Sequence, residues 1–579
     1  MIWYTCFAIA LAAVCLSVAV YFIQRKKKIK KFRFAVKTLI AGFAVAVFTM
    51  FLPIQLNSFD LSFSGIGKAV LMSLNRTLRA FALTDINFLS SSSGMPEELY
   101  SAYSFIMSLF CFICPLLTIG YILSFFSKVR SGIKLTMTRR KNLMVFSQLN
   151  ASSVKLARDM ISHRLDRRLV FCSVSEPFKA QNDHLVSEAE QLGAICTEKD
   201  IVTLNYRHHK KNKSLWLFAI SDNEQLNTNY TLELSKRYHS REHTRIYLFS
   251  SLPESHMILS AIDPGEVKIR RIDIIRCTIY QFLYHKGTLL FDSAVESDNN
   301  IKTISAVIVG LDKYGKELLK ALAWYCQMDG YRLIINAYDP DPRADDHLAA
   351  ECPDLLDPAY NGVCTDGEAE YRIIIHPGTD TSSTEFYQKL SKAEHPTFVF
   401  VSTGDDSNNI EISTAIRTQL ERIDVSPVIY TILKSTNKKH MIEGIRNFKQ
   451  QTYNIHSIGD VETLFTEKRI INSELEQEAL RLHKIWGDEA SFWRYEYNYQ
   501  SSLARAIHLK AHREAAASVS SGDTRMSEHK RWNAYMRSLG YVYSGSPDAA
   551  SRNDLAKTHN DLIPYHQLSD EEKQKDADK

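Results

Sequence analysis

Along the first 130 positions apolar residues run together instead of alternating with polar ones. Ile2–Ile23, Thr38–Leu56 and Ser101–Ser127 hold 22, 19 and 27 residues without a charge. As helices, ~20 residues cross a hydrocarbon core of about 30 Å, so each run predicts a membrane span. Between the second and third runs, Ile66–Leu83 has apolar residues at helical spacing with Lys68, Arg76 and Arg79 interleaved. It predicts an amphipathic helix on the outer surface or dipping into it, with a pore-lining or re-entrant helix as the alternative. Thr118-Ile119-Gly120-Tyr121 superficially resembles the potassium filter T-V-G-Y-G. It lies inside the third run, lacks the final Gly and follows no pore helix in the same loop, so Gly120 is read as a small packing residue.

From 142 the rhythm changes to short apolar runs separated by helical patterns, which predicts parallel sheets covered by helices. Strands are expected at 142–146, 169–173, 194–196, 215–220 and 245–250, then at 305–309, 333–338, 372–375, 398–401 and 428–432. Helices are expected at 152–162 and 315–326. Two correspondences indicate duplication. The first strands lead into SQLNASSVKLA and GLDKYGKELLK, and the fourth strands end in AISDNEQLN and VSTGDDSNN. Beyond these units, 473–515 is strongly helical, with Leu475, Ala479, Leu482 and Ile485 on one face; 516–524 reads as a linker.

Charge orients the spans. No acidic residue precedes Asp60, and basic residues cluster at 25–33 and 128–141, after the first and third runs. Positive charge stays inside, which predicts a multi-pass cell-membrane protein with its N-terminus outside and everything after 128 cytoplasmic. A signal peptide is disfavoured: no basic segment precedes the first run and no small-x-small cleavage site follows it. The net charge of +5 does not point to nucleic acid, because its densest cluster lies between two spans. Ten cysteines are scattered without zinc-ligand spacing; Cys111 and Cys114 sit in an apolar helix, where packing is the expected role. The domains expected are a three-helix membrane part (1–127, outer loop 57–100), a basic linker (128–141), two α/β units (142–300 and 301–470) and a small, mainly helical C-terminal domain (471–579).

Gly310, Gly315, Asp339 and the Asp405-Asp406…Asn408 turn carry a resemblance of 142–290 and 303–470 to the Rossmann-like ligand-binding domains of potassium-channel and potassium-uptake regulators, the RCK/TrkA-N family. The resemblance implies a nucleotide or ion at the C-terminal edge of the sheet and a domain pair that gates a membrane partner. The glycine chemistry limits it. A dinucleotide loop uses G-x-G-x-x-G for the turn, for close approach to pyrophosphate and for helix packing. Here Gly310 and Gly315 keep the first and third roles, while Asp312 places a side chain and a negative charge where phosphates would lie. Asp339 is positioned to bind a ribose diol, or else ends its strand in a turn with Pro340. The first unit has Ser147-x-Leu149-x-x-Ser152 and none of the glycines, so its loop is expected to be structural or an interface. Asp222 and Asp405 either contact ligand or metal or cap the following helices.

The chain's last hundred residues contain Glu528-His529-x-x-Trp532, Gly540-Tyr541, His559-x-x-Leu562-x-Pro564-Tyr565-x-x-Leu568 and Glu571-Glu572-Lys573…Asp576. This stretch resembles the RyR domain, the helical module repeated in ryanodine receptors and found singly in bacterial proteins; the loop SGSPDAASRND is longer than in a minimal version. His529 and Trp532 share a helical face on which Tyr541, His559 and Tyr565 are expected to converge. Such a set suits a nucleobase, because rings stack and imidazoles fix an edge; the other reading is that these residues are the core of a small domain. The resemblance implies nucleotide-centred signalling or defence.

No G-x-S-x-G, H-E-x-x-H, G-x-x-x-x-G-K-[ST] or H-x-E…C-x-x-C is present, and His376 and His456 have no evident nucleophile or carboxylate at fixed offset. The chain is expected not to be an enzyme, since a Rossmann-like fold by itself implies no reaction. The function expected is a homo-oligomeric, ligand-gated membrane sensor-effector, a channel or membrane-perturbing pore. Its partners would be membrane lipid and a cytosolic nucleotide-type ligand (ATP, NAD, ADP-ribose or a cyclic nucleotide), with a place in bacterial defence signalling. The alternatives are a non-conducting regulatory subunit of a potassium or other ion transporter, and a membrane-tethered NAD-dependent oxidoreductase.

Overall fold

The structure is a computed structural model. It describes residues 2–26, 32–60, 62–82, 95–123 and 141–575, less 163–165, 205, 207–208, 211, 261, 264, 297–299, 363, 365–366, 393–394, 447–448, 516–523 and 546–551. The basic linker up to Arg140, the basic residues 27–31, most of the 516–524 linker and the centre of the SGSPDAASRND loop therefore lie outside the described residues. The chain divides into two units, 1–137 and 138–579.

In the first unit the apolar runs form α1 (Ile2–Lys26), α2 (Phe32–Leu56) and α4 (Glu97–Leu123), with α3 (Phe63–Phe81) between α2 and α4. Ile2–Phe22, Lys37–Leu56 and Glu97–Ile122 are long and apolar enough to cross a membrane. α1 and α2 approach closely at Gly42, where an added Cβ would lie 2.3 Å from Ser17 Cβ; a small residue is what lets two backbones meet. Phe43 and Phe110 meet edge to face at 5.4 Å between α2 and α4. α3 starts at Ser62, whose hydroxyl accepts from Gly65 N. Its buried stripe is small (Gly65, Ala69, Ser73, Thr77, Ala80), while Phe63, Leu71 and Leu78 face outward. The amphipathic helix expected at 66–83 is thus present, but with its bulky side chains turned out.

The second unit contains two six-strand parallel layers of one topology. In the first, β1 (Asn142–Phe146), β2 (Arg167–Phe171), β3 (Ile195–Cys196), β4 (Leu215–Ala219), β5 (Thr244–Phe249) and β6 (Lys268–Ile272) lie in the order β3-β2-β1-β4-β5-β6. In the second, β8 (Lys302–Val309), β9 (Tyr331–Tyr338), β10 (Tyr371–His376), β11 (Phe398–Val401), β12 (Val428–Ile432) and β13 (Ile455–Ile458) repeat it as β10-β9-β8-β11-β12-β13. β7 (Val295–Glu296) adds one antiparallel strand beside β8. Nearly continuous apolar runs form the central strands because helices, among them α5 (Ala151–Ser162) and α6 (Glu224–Tyr238) in the first unit, cover both faces. On one face of the first sheet, Phe171, Phe146, Phe218 and Tyr247 stack with successive centroids 5.1, 4.5 and 4.8 Å apart.

The two sheets exchange elements. Helix α7 (Ile274–Lys286) follows β6 but packs on the other sheet, with the Phe282 ring 4.7 Å from that of Tyr430. Reciprocally, Val461–Leu464 and Glu467–Ile470 follow β13 yet bury Leu464, Phe465 and Ile470 in the core of the first sheet. Arg167, 3% exposed, holds the returning segment by two 2.8 Å bonds to the Glu467 carboxylate. Divisions at 300 and 470 thus separate the strands but not the cores.

The strongly helical stretch expected over 473–515 is three helices: α10 (Glu474–His483), Glu489–Arg494 and α11 (Glu496–Ala515). Asp488 restarts the chain by capping Ser491 N, and Ile485, expected on the buried face, lies beyond α10 at 36% exposure. α12 (Thr524–Ser538) and a three-strand sheet, β14 (Val542–Tyr543), β16 (Thr558–His559) and β15 (Arg552–Asn553), complete the chain. α12 packs on α8 (Lys313–Tyr325), where Trp324 meets Tyr535 at 6.1 Å. The C-terminal region therefore shares the second sheet's apolar core.

Candidate functional site

The six residues expected to bind a cofactor gather at the C-terminal edge of the second sheet. Gly310 turns the chain with φ +89°, and a Cβ there would lie 2.0 Å from Ser402 O; a Cβ on Gly315 would lie 2.0 Å from Gly310 O. Both glycines are thus required by the fold itself. Asp312 caps α8 by accepting from Tyr314 N and Gly315 N, each at 3.0 Å, and from the Ser402 hydroxyl at 2.6 Å. A carboxylate therefore occupies the helix N-terminus, the position that favours anions. Buried Asp339 accepts from Leu311 N through Oδ2 (2.5 Å) and from Asp341 N through Oδ1 (2.8 Å). Both carboxylate oxygens thus hold loop backbone, and a ribose diol would have to share them.

Asp405 and Asp406 divide the next turn. Asp405 caps α9 (Asp406–Arg422), accepting from Ser407 N and Asn408 N, and these bonds hold its carboxyl below the usual range. Asp406 accepts from Lys434 N and Ser435 N at 3.1 and 3.0 Å, tying this turn to the one after β12. Burial, reinforced by Asp312, pushes the Tyr314 hydroxyl up to about 12. The first unit replaces glycine chemistry with a reciprocal cap: Ser153 N donates to Asn150 Oδ1, and Asn150 N donates to Ser153 Oγ. Asp222 there meets Gln148, which accepts from its N–H at 3.2 Å.

Four of the five C-terminal candidates form one ring cluster. Centroids lie 5.7 Å apart for His529–Trp532, 5.8 Å for His529–Tyr565 and 4.9 Å for Trp532–His559. His529 Nε2 is 2.8 Å from Ile563 O, and His559 Nδ1 accepts from Asp561 N. Tyr541, the fifth, donates its hydroxyl to Asp554 at 2.7 Å. The sequence did not single out Tyr497, whose hydroxyl accepts from Trp532 Nε1 and whose ring lies 4.0 Å from the Arg552 guanidinium. Nor did it single out Ser402; its position at the end of a fourth strand, facing the first loop, was the available signal. Among the described residues no group of three His, Cys, Asp or Glu side chains is placed to hold a metal.

Beneath this cluster lies a buried ionic knot. Glu528 receives two 2.9 Å bonds from Arg531, with Arg505 and His508 within 4 Å. His508 Nε2 is 2.9 Å from Gln327 O, joining α11 to the second sheet's unit. Burial, only partly offset by Glu528, depresses the His508 imidazole to about 4, so it is neutral at pH 7.

The fold and site define a class: three helices able to cross a membrane, followed by paired parallel-sheet α/β units and a helical C-terminal region. Neither a family model nor a curated protein matches the sequence. Among solved structures, the crystal structure of a GsuK mutant covers 75% of this chain and 96% of its own at 13% identity, with a TM-score of 0.35. The fold assignment accordingly rests on strand order and packing.

Proposed function

We propose that the chain is a ligand-gated membrane sensor-effector. A nucleotide-type ligand on the cytoplasmic side changes the packing of the paired sheets, and the apolar helices, assembled in a homo-oligomer, respond as a channel or membrane-perturbing pore. The observation that carries this reading is the reciprocal exchange: α7 lies in the core of the second sheet and 461–471 in that of the first. Neither sheet can rearrange without disturbing the other, and coupling requires such a shared element. The outward bulky face of α3 supports assembly, since lipid or a second copy must cover Phe63, Leu71 and Leu78. The reading takes the N-terminus as outside, the chain as a regulator and not an enzyme, and bacterial defence signalling as its setting.

Purified full-length protein reconstituted in liposomes tests this. Nucleotide-dependent ion flux supports it; silence with every nucleotide would favour a regulatory subunit acting on a separate transporter. The NAD-dependent oxidoreductase is the weaker rival, because Asp312 and Asp339 hold the loop that pyrophosphate and ribose would need.

A further inference from the structure

A cleft of about 740 Å³ lies between the β5–β6 edge of the first sheet and the C-terminal helices. Parallel register places Arg245 beside Lys268 and Tyr247 beside Arg270. Alternate residues of a strand share a face, so these four side chains form one floor. Leu480, Trp493 and Tyr499 line the cleft from α10, the 489–494 helix and α11.

The rear wall is electrically closed. Arg270 donates to Ile471 O at 3.0 Å and to the Tyr499 hydroxyl at 2.9 Å, and pairs with Glu476, to which Tyr499 also donates. The remaining cations differ. Arg245, Lys268 and Arg494 line the same cleft, and among the described residues none lies within 4 Å of a carboxylate. Like charges side by side on neighbouring strands repel, a cost that an anion between them would remove. The Arg245 guanidinium stands over the Trp216 ring at 5.1 Å and also meets the Tyr247 hydroxyl, while Glu476 acts on it from beyond 4 Å. The half-buried Trp493 indole, 6.0 Å from the Tyr499 ring, supplies aromatic surface.

We infer that this cleft binds an organic anion with a planar ring, of the nucleoside phosphate class. The volume suits a small ligand. Aromatic walls take a flat base, and Arg245, Lys268 and Arg494, whose lining carboxylates Glu476, Glu489 and Asp263 act on them only from beyond 4 Å, take phosphate oxygens. Ile471 and Asn472, the end of the exchanged segment, also line it. A ligand seated there touches the first sheet, the C-terminal helices and the segment arriving from the second sheet. The inference deepens the gating proposal and rests on it for consequence, but not for binding.

The test is calorimetric titration of the full-length, detergent-solubilised chain with ATP, AMP, adenosine and pyrophosphate. ATP or AMP should bind, and adenosine and pyrophosphate should each bind at least about tenfold more weakly, since each fills half the cleft. Arg245→Gln, Lys268→Gln and Trp493→Leu should each weaken nucleotide binding about tenfold, with unliganded melting curves verifying that each variant folds. No heat from either nucleotide at about 1 mM would overturn the inference, as would unchanged affinity in all three folded variants. Binding lost in these variants while liposome flux ignores nucleotide keeps the site and removes the gating proposal.

Discussion

Asn227 and Asn409 hold the same place in the two sheets. Each donates from Nδ2, at 2.8 Å, to the carbonyl at the end of its sheet's fifth strand, Phe249 and Ile432. Each also uses Oδ1 locally, Asn227 toward the Ser221 hydroxyl and Asn409 toward Thr403 N. The repeat noted after the fourth strands is therefore a structural device: a buried amide pins the fourth-strand loop to the fifth strand. Asn409→Ala should destabilise the chain by about 2–3 kcal/mol, because buried partners are left unsatisfied. Chemical unfolding in detergent measures this, and Asn227→Ala should behave alike.

The exchange between sheets makes a second prediction. Glu467→Ala leaves the buried Arg167 guanidinium without its carboxylate, at a cost of about 3 kcal/mol. The double variant Arg167→Met/Glu467→Leu should recover most of that loss. If single and double variants unfold alike, the pair does not hold the returning segment.

Gly310 bears on the second sheet's first loop. With φ +89° and Ser402 O at 2.0 Å from any Cβ, Gly310→Ala should lower stability by at least about 2 kcal/mol. If the loop only holds itself, ATP affinity in the folded fraction should be unaffected; a loss confined to ligand binding would return the nucleotide to this edge.

His508 sets a pH dependence. Its folded imidazole titrates near 4 against 6.5 ordinarily, so between these values the unfolded chain binds more protons. Stability is therefore full above about 6.5 and falls as pH drops toward 4, by up to about 3 kcal/mol. Glu528, Arg531 and His512 act on the same ring, and Glu528, itself held low mainly by Arg531 and Arg505 against burial, adds loss at still lower pH. His508→Gln should flatten the upper part of the curve in melts taken from pH 7 to 4.

Much of the fold was legible because its signals are local. Long charge-free runs gave the membrane-length helices, and Phe398–Val401 and Val428–Ile432 fall where their apolar runs placed them. Of the four edge strands, Ile195–Cys196 and Tyr371–His376 fall where expected, and the last strand of each sheet was not among the expected ones. Lys268–Ile272 carries three basic residues in five, and Ile455–Ile458 is short with a histidine inside; pairing with β5 and β12 makes them strands. Spacing placed His529 and Trp532 on one face, and the family resemblance singled out His559 and Tyr565, which join them; Tyr541 bonds to Asp554 instead. The exchange of helices was hidden, since a helix on the neighbouring sheet has the same apolar period as one on its own. The β5–β6 cleft was hidden too, because Arg245, Lys268 and Trp493 meet only through tertiary packing.

Under the proposed function a cytosolic nucleotide changes what the membrane-length helices do. The most direct measurement is ion flux from liposomes holding only the purified full-length chain, with and without ATP or AMP. Nucleotide-dependent flux that disappears in Trp493→Leu and Arg245→Gln is the result expected. Flux that is absent throughout, or identical with and without nucleotide while the same preparation binds it, would mean that nucleotide does not gate these helices.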